Sequence, residues 1–474
     1  MTVSQCRADF FVYNKELYHF LWAIQQNCLR KNCTQIASVS IEIDPVDPLV
    51  VFSKLGQPQQ INFYWENKSK KEAIASFDAA AKLEITGKNR FKASEDFIKD
   101  CLEKTVCFSE IARAFSKPLF LCSFSFFEEP SQADYPFPSA TIFLPCWQVA
   151  VKNNRYTFVA NIPMDANVDI QKILQVLWSK LETISSLNSL EYSFLPLKIV
   201  QPKLSQQYVA NPEQFKRSVS GALESIQSKR LRKVVLADAL DVRASIRFNL
   251  LQSLNNLRQL HSNCCIFSIS NGKGQNFIGA SPERLIGIDK QQLITDALAG
   301  SAPRGKTPAE DAVNASRLLS SEKERHEHSL VIDFITQRLS QLGLLPQVLR
   351  PRLRQLSNIQ HLWTPINAIV PNNVHPLSIV AQLHPTPAVA GASREIACRE
   401  IRRYENFERG LYAAPLGWVD SEGNCEFIVG IRSALIDGDR ARLYAGAGIV
   451  AGSNPDKELA EVQLKLQALL RALV

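Results

Sequence analysis

The feature that most constrains this fold is a succession of short apolar segments separated by tight turns. Between residues 264 and 299 several short strands are predicted, and the pairs Asn271-Gly272 and Asp289-Lys290 are typical of hairpin turns. More strands are predicted from 415 to 450. Strands joined by hairpins pair antiparallel, and helices interrupt these runs. The sequence therefore favours an α+β fold over a doubly wound parallel sheet.

Helices and further strands are predicted around these hairpins. Asn211 followed by Pro212 is typical of a helix cap and first turn, and the apolar face of that helix is formed by Phe215, Val219, Ala222, Leu223 and Ile226. Other helices are predicted at about 250–260, as one long helix at about 308–342, and after Pro455, with an irregular proline-rich region from 343 to about 395. Val234 to Ala237 is predicted as a strand, and the alternation of Val39, Ile41 and Ile43 predicts a half-buried one.

Composition excludes several classes of protein. The 474 residues carry a net charge of +8 that is dispersed along the chain, without the basic stripe and interleaved aromatic residues of a nucleic-acid binder. The 11 cysteines include no CxxC pair, which indicates reduced thiols rather than zinc or disulfides. Apolar runs are too short to span a membrane, and no secretory signal is evident. We expect a cytoplasmic protein without a membrane or nucleic-acid partner.

A carboxylate on an apolar helix face is the first indication of a functional site. Glu327 is followed on the same face by Leu330, Val331, Phe334 and Ile335. A bare carboxylate there is costly, so it must be protonated, paired with a cation or bound to a metal ion. An alternative is purely structural: Ser321 and Glu324 form a capping box, and Glu327 meets a buried Lys or Arg. This helix alone does not decide between them.

The last helix carries a second pair of carboxylates. Its buried stripe is predicted to be Leu459, Val462, Leu466 and Leu469, and along the edge of that stripe lie Glu458, Glu461 and Lys465. The simpler interpretation is a solvated Glu461 to Lys465 ion pair one helical turn apart. However, two helices that each carry E-x-x-E together offer hard oxygen ligands, for which Mg²⁺ is the fitting ion.

Other motifs are weak when taken singly. Residues 445–452, AGAGIVAG, imitate a dinucleotide-binding loop, but the third glycine comes one residue late. Gly446 and Gly448 are instead predicted to let backbone N–H groups approach an anion. Lys233 at a strand end is typical of a surface lysine, and Glu283 in GASPERL could form a rim ion pair with Arg284.

Taken together, the ordered motifs resemble a known family. From about Asn211 to Lys465 the chain resembles the chorismate-utilising enzymes, and most closely the isochorismate synthases of the menaquinone and phylloquinone type. The blocks that carry the resemblance are LRKVVLAD, FIGASPERL, ALAGSAPRG, SEKERHEH, IQHLW, LHPTPAVAG, RGLYAAPLGW, VGIRSAL, YAGAGIV and the terminal E-x-x-E-x-x-x-K. The resemblance implies one large α+β domain of layered antiparallel sheets ringed by helices. Residues 1–205 would be its variable N-terminal lobe and residues 206–474 its chorismate-binding catalytic region.

The resemblance also implies a role for each candidate residue. Lys233 corresponds to the general base that activates water for attack at C2 of chorismate, and Glu283 to the acid that protonates the departing C4 hydroxyl. Glu327 and Glu461 correspond to Mg²⁺ ligands, with Glu324 and Glu458 acting through bound water. Tyr412 and Arg432 correspond to residues that hold the pyruvyl carboxylate. The remaining substrate-binding positions are Ala388 and those that complete the anion-binding site, namely Lys465, His361 and the backbones of Gly300, Gly446 and Gly448.

These roles set physical requirements on two residues. Lys233 must lose its proton near neutral pH, although a free lysine has a pKa of about 10.4, and we expect burial and the neighbouring Arg232 to lower its pKa. Glu283 must instead remain protonated, so we expect a desolvated position that raises its pKa.

A few positions favour isochorismate as the product. Relatives that use ammonia lack a lysine at the Lys233 position, and one group of them has a lysine where this chain has Ala299. Salicylate synthases resemble the ammonia users in having threonine where this chain has Ala388. A salicylate, anthranilate or aminodeoxychorismate synthase is therefore the alternative within the family, and a non-catalytic, Mg²⁺-dependent dicarboxylate-binding protein is the alternative outside it. A monomer that acts in quinone synthesis is the family expectation.

Overall fold

Antiparallel strand pairing organises the computed structural model, which describes residues 3–108, 115–130, 135–187, 203–355 and 359–473. Side chains are described from residue 15 onward. The strands of these ranges are β1 (Gln35–Glu42), β2 (Asn62–Asn67), β3 (Glu72–Ile85), β4 (Thr105–Phe108), β5 (Leu119–Phe124), β6 (Ala140–Lys152), β7 (Arg155–Met164), β8 (Leu204–Tyr208), β9 (Lys233–Ala244), β10 (Cys265–Ser270), β11 (Gln275–Ser281), β12 (Arg284–Asp289), β13 (Gln292–Pro303), β14 (Gln347–Val348), β15 (Arg352–Gln355), β16 (Ile359–Ile369), β17 (Gly391–Ala392), β18 (Pro415–Asp420), β19 (Cys425–Val429), β20 (Ser433–Asp437) and β21 (Arg440–Val450).

Helices surround this sheet. They are α1 (Val3–Lys31), α2 (Pro48–Leu55), α3 (Arg90–Glu103), α4 (Ile170–Ser186), α5 (Pro212–Gln227), α6 (Leu250–Leu260), α7 (Pro308–Ser320), α8 (Glu322–Gln341), α9 (Pro376–Leu383), α10 (Arg394–Tyr404) and α11 (Pro455–Leu473), together with one 3₁₀ turn at Lys68–Lys70. Among the described helices, none is both long and apolar enough to cross a membrane.

The strands form one hydrogen-bonded network with two branches that diverge from β3, β5 and β6. One branch runs from β3 through β2, β10, β11, β20 and β21 to β9, and the other from β5 through β18, β19, β12 and β13 to β16. Within the described ranges only β1 and β4 pair in parallel. The α+β class with a large antiparallel sheet, predicted from the hairpins, is confirmed.

Several predicted elements are confirmed at close to their predicted bounds. The Asn211 side chain caps α5 by accepting a hydrogen bond of 2.8 Å from the Gln214 backbone N–H. The turns at 271–272 and 289–290 join the antiparallel pairs β10–β11 and β12–β13. Helix α6 and strands β18 to β21 also lie where the sequence placed them.

Three predictions of secondary structure are wrong. The long helix at 308–342 is two helices, because the backbone of Ser321 is extended and its side chain caps α8. The region from 343 to 395 contains β16 and α9, and Pro376 begins α9 at a position where the missing N–H costs nothing. Strand β1 is buried on both faces rather than one, since Ser38 and Ser40 are buried together with Val39.

Candidate active site

The two branches of the sheet and two helices enclose a cavity of about 140 Å³. Residues of strands β13, β16 and β21 and of helices α8 and α11 line it, together with residues of the connecting loops. Every candidate residue predicted from the sequence lines this cavity except Lys233: Glu283, Gly300, Glu324, Glu327, His361, Ala388, Tyr412, Arg432, Gly446, Gly448, Glu458, Glu461 and Lys465.

Lys233 lies behind the cavity wall in an ion pair. It is the first residue of β9 and is fully buried, and its Nζ lies 2.7 Å from Oε1 of Glu327. The partner required for Glu327 is thus a cation, one of the alternatives that the sequence left open. Arg232, expected to help deprotonate Lys233, has an exposed side chain. A Cβ at position 448 would lie 2.8 Å from Glu327 Oε1 and 3.3 Å from Lys233 Cε, so glycine there leaves room for this pair.

The charged residues Glu458, Glu461 and Lys465 of helix α11 face the cavity, because the apolar residues of the helix are buried on the adjacent face. Leu459, Val462 and Leu466 are buried, which turns Glu458 and Glu461 towards α8 and β21. Glu461 and Lys465 form the predicted pair at 2.7 Å, and Lys465 also donates a hydrogen bond of 2.9 Å to the Gly446 carbonyl. Their side chains are 29% and 23% exposed, so this is not the fully solvated pair of the simpler interpretation.

A third lysine, which the sequence reasoning overlooked, joins the two helices. Lys323 Nζ lies 3.8 Å from Oε1 of Glu324 and 3.6 Å from Oε1 of Glu458. The only signal in the sequence was its position beside Glu324 in SEKERHEH, on the helix that carries the acidic pair. Each of the four glutamates therefore has a lysine within 4 Å.

The glutamates also influence one another. Burial raises the pKa of Glu324 and of Glu458, and the carboxylates of Glu327 and Glu461 raise both further. Glu324 Oε2 accepts a hydrogen bond of 3.0 Å from the Ser301 backbone N–H, at a bulge in β13 where Gly300 has a φ of +77°. The close approach of this carboxylate requires the absence of a Cβ at Gly300, which would lie 3.1 Å from Glu324 Oε2. The four carboxylates thus lie close enough to repel one another, although lysines accompany them.

The donor set suits a hard divalent cation. Carboxylate oxygens are ligands that Mg²⁺ accepts, usually one or two of them directly with water completing its coordination, and this cavity offers four. Within the described residues, no group of three His, Cys, Asp or Glu side chains is already arranged to hold a metal ion. An ion would therefore have to draw carboxylates away from their lysine partners.

Glu283 faces the cavity from the end of β11. Burial raises the pKa of Glu283 to about 8, aided by the Asp296 carboxylate and opposed by the Lys233 ammonium. The expected direction of this shift is confirmed. A carboxyl group with this pKa is mostly protonated at neutral pH and can donate a proton.

Cationic and polar groups line the rest of the cavity. Arg432 is in the left-handed region at φ 50°, and its buried Nη1 has no hydrogen-bond partner among the described residues. Burial lowers the pKa of His361 well below its ordinary value, and its Nδ1 lies 2.9 Å from the Ser301 hydroxyl. The Tyr412 hydroxyl would lie 3.0 Å from a Cβ on Gly446. These groups suit an anion with several oxygen atoms.

A buried ion pair behind the cavity was also missed from the sequence. Arg409 contacts Glu405 through two hydrogen bonds of 2.6 and 2.8 Å, and it also donates to the carbonyls of Val235 and Val389, which line the cavity. Arg409 stood in the RGLYAAPLGW block, but nothing in its spacing distinguished it.

Comparisons with known proteins agree with this architecture. A family model described as "Chorismate binding enzyme" matches residues 23–474. The chain is similar to the salicylate biosynthesis isochorismate synthase of Pseudomonas aeruginosa, with 34% identity over 92% of this chain and 90% of that protein. It is also similar to isochorismate synthase MenF of Bacillus subtilis, with 29% identity over 97% of each. The solved structure of MenF, the menaquinone-specific isochorismate synthase from Escherichia coli, has a TM-score of 0.77 and 26% identity, and the match covers 96% of this chain and 100% of that one.

Proposed function

The chain belongs to the chorismate-binding enzymes, and from that premise we propose that it is an isochorismate synthase. In this proposal water adds at C2 of chorismate and the C4 hydroxyl departs. The names of the relatives that match along almost the whole chain support this activity. The observation that carries the proposal is Glu283, a buried acid with a pKa of about 8 in the same cavity as the four glutamates.

Glu283 is the proposed proton donor. Loss of a hydroxyl group from the ring is slow unless the oxygen is protonated as it leaves, and general acid catalysis of this kind contributes about 10²- to 10⁴-fold. Because Glu283 is buried and mostly protonated at neutral pH, it can give its proton to the C4 oxygen.

Lys233 is the proposed base that takes a proton from the attacking water. A base must be neutral, whereas the Glu327 carboxylate 2.7 Å away stabilises the charged ammonium. The proposed role therefore requires Glu327 to leave the amine before reaction. Lys233 is fully buried, so a lone ammonium left without its carboxylate partner would be costly in that position.

Mg²⁺ is the proposed cofactor, with Glu327 and Glu461 as direct ligands and Glu324 and Glu458 acting through water. When bound, the ion would neutralise a carboxylate of the substrate and fix the ring between acid and base. The mutual repulsion of the four glutamates supports a cationic partner for them.

The remaining groups are proposed to bind the second carboxylate and to determine the product. Arg432 has a buried, unpartnered N–H, and with Tyr412 it would hold the pyruvyl carboxylate. Ala299 and Ala388 line the cavity where the resemblance implies lysine or threonine in relatives with other products. Their small apolar side chains favour release of isochorismate.

Product identification tests this function. Incubation of the full chain with chorismate should give isochorismate when Mg²⁺ is present and none after chelation, as followed by chromatography. Salicylate with pyruvate, or an amino product when ammonium is added, would instead identify one of the other family activities. Tight binding of chorismate without turnover would identify a dicarboxylate-binding protein.

The pathway, compartment and oligomeric state of the protein are also proposals. We propose that the product feeds menaquinone or phylloquinone synthesis in the cytoplasm, which the likeness to two proteins named MenF supports. Deletion of the gene should then remove the quinone from the host. We further propose a monomer, which light scattering of the purified chain can check.

A further inference from the structure

Lys323 bridges the two acidic helices at the edge of the cavity. It is the second residue of α8, and its ammonium lies 3.8 Å from Glu324 on the same helix and 3.6 Å from Glu458 on α11. Both carboxylates are largely buried, whereas the Lys323 side chain is 36% exposed. The side chain thus contacts the site and is also partly open to solvent.

The contacts of Lys323 differ from those of the other two lysines. Lys233 and Lys465 each form a short hydrogen bond of 2.7 Å with one glutamate. Lys323 lies beyond hydrogen-bond distance of both its neighbours, so it is held by charge between them rather than by a directed bond. The Lys323 ammonium is thus positioned as a counter-ion that Glu324 and Glu458 share.

We propose that Lys323 is an internal counter-ion that competes with the divalent cation for the outer carboxylates. In the free enzyme it offsets the repulsion between Glu324, Glu458 and their neighbours, and it swings into solvent when the metal ion binds. Because the lysine side chain is long and flexible, this movement costs little free energy. The inference rests on the proposed function, because it concerns how the proposed Mg²⁺ site is kept neutral when empty.

The consequence is that Lys323 weakens metal binding in the absence of substrate. A positive charge a few Å from a divalent cation repels it, and in a partly exposed site this repulsion corresponds to about a tenfold change in affinity. Replacing Lys323 by methionine keeps the apolar stem and removes the charge. We therefore expect Lys323→Met to bind Mg²⁺ about tenfold more tightly than the unchanged protein.

Calorimetric titration of the full chain with Mg²⁺, without chorismate, measures this directly. Lys457→Met is the matched control, because Lys457 immediately precedes Glu458 on α11, loses the same charge, and has an exposed side chain. Its Mg²⁺ affinity should stay within about twofold of the unchanged protein, as expected for a screened surface charge. Lys323→Gln provides a second, polar variant, and Mg²⁺ should raise the melting temperature of both Lys323 variants more than that of the control.

Equal or weaker Mg²⁺ binding by Lys323→Met would overturn the inference. If the chain forms isochorismate only with Mg²⁺ but binds the ion equally well with and without Lys323, the proposed function stands and the inference fails. If neither variant nor the unchanged protein binds Mg²⁺, both the inference and the proposed cofactor are rejected.

Discussion

Glu283 is the residue whose environment makes the clearest prediction about activity. Because the proposed reaction needs its protonated form and its pKa is about 8, kcat/KM for chorismate should fall as the pH rises through about 8. Glu283→Gln should reduce kcat/KM by about 10²- to 10⁴-fold and remove this alkaline limb. Rates measured from pH 6 to 10 check both effects. An alkaline limb that persists unchanged in Glu283→Gln contradicts the assignment.

The same residue predicts how stability depends on pH. An unfolded glutamate has a pKa of about 4.3, whereas folded Glu283 has a pKa of about 8, so between these values the folded state binds more protons. The contribution of Glu283 to the free energy of unfolding therefore decreases as the pH rises from about 4.3 to 8 and is constant above that.

Glu283→Gln should remove this pH-dependent penalty. Relative to the unchanged protein, the variant should gain stability from pH 5 to pH 8, by an amount on the order of a few kcal/mol at pH 8. Urea unfolding at both pH values measures the difference. The exposed Glu322 gives a control, since Glu322→Gln should show no such trend. A gain that is equal at the two pH values would argue against a protonated Glu283.

The Lys233–Glu327 pair leads to a prediction of coupling. Removing one partner of a buried ion pair strands the other charge and costs about 3–5 kcal/mol, whereas removing both costs less. Lys233→Met should therefore destabilise the protein more than the double variant Lys233→Met/Glu327→Gln. Urea unfolding of both single variants and the double variant gives the coupling energy. Additive effects would mean that the pair of 2.7 Å does not act as a unit.

At the residue scale, the sequence indicated that the Glu327 carboxylate needs compensation, but it did not identify Lys233 as the residue that provides it. The apolar neighbours of Glu327 required protonation, a cation or a metal ion, but Lys233 is 94 residues away in sequence, and only the approach of α8 to the start of β9 brings the two together. Gly448 was predicted to approach an anion through its N–H, whereas the atoms next to its missing Cβ belong to this ion pair. Lys323 was overlooked because its second partner, Glu458, lies on another helix.

Ser321 separates α7 from α8 and so determines how α8 presents its acidic residues. Its side chain caps α8 by accepting a hydrogen bond of 3.4 Å from the Glu324 backbone N–H. Ser321→Ala should lower the free energy of unfolding by about 1 kcal/mol, as loss of an N-cap usually does. Ser320→Ala, next to it at the exposed end of α7, is the control and should change stability less. Equal urea transitions for the two variants would contradict a capping role.

At the scale of helices and strands, apolar periodicity and capping residues located most of these elements correctly. They did not locate the break between α7 and α8. The Ser321 and Glu324 spacing was noted as a capping box, yet apolar periodicity on both sides of it favoured one continuous helix. Only one of the two hydrogen bonds of a capping box is present, the one from the Glu324 backbone N–H to the Ser321 hydroxyl. The Glu324 carboxylate accepts a hydrogen bond from the Ser301 backbone N–H instead of from that of Ser321. Prolines in the region from 343 to 395 suggested irregular backbone, although Pro376 starts a helix and Pro365 lies within β16.

At the scale of the whole molecule, the boundary predicted at 205 falls within one sheet. Strand β2 pairs with β10 and β5 pairs with β18, so strands from residues 1–205 hydrogen-bond to strands from residues 206–474 in both branches. The first region also contributes buried aromatic residues to the shared core, including Phe63, Trp65 and Phe120. The resemblance implied one domain with residues 1–205 as a lobe, but it did not indicate which strands join the two regions, because pairing between strands so far apart in sequence leaves no local pattern.

A chain of residues 206–474 alone should therefore fail to fold independently, although it carries every candidate site residue. Without β2 and β5, the edges of β10 and β18 would present unpaired N–H and C=O groups beside newly exposed apolar side chains, a combination that promotes aggregation. We expect this chain to lack a cooperative urea transition and isochorismate-forming activity. Co-expression with residues 1–205 should restore both, because the missing strands can then pair in trans. A cooperative transition or turnover of chorismate by residues 206–474 alone would show that the catalytic region is an independent folding unit.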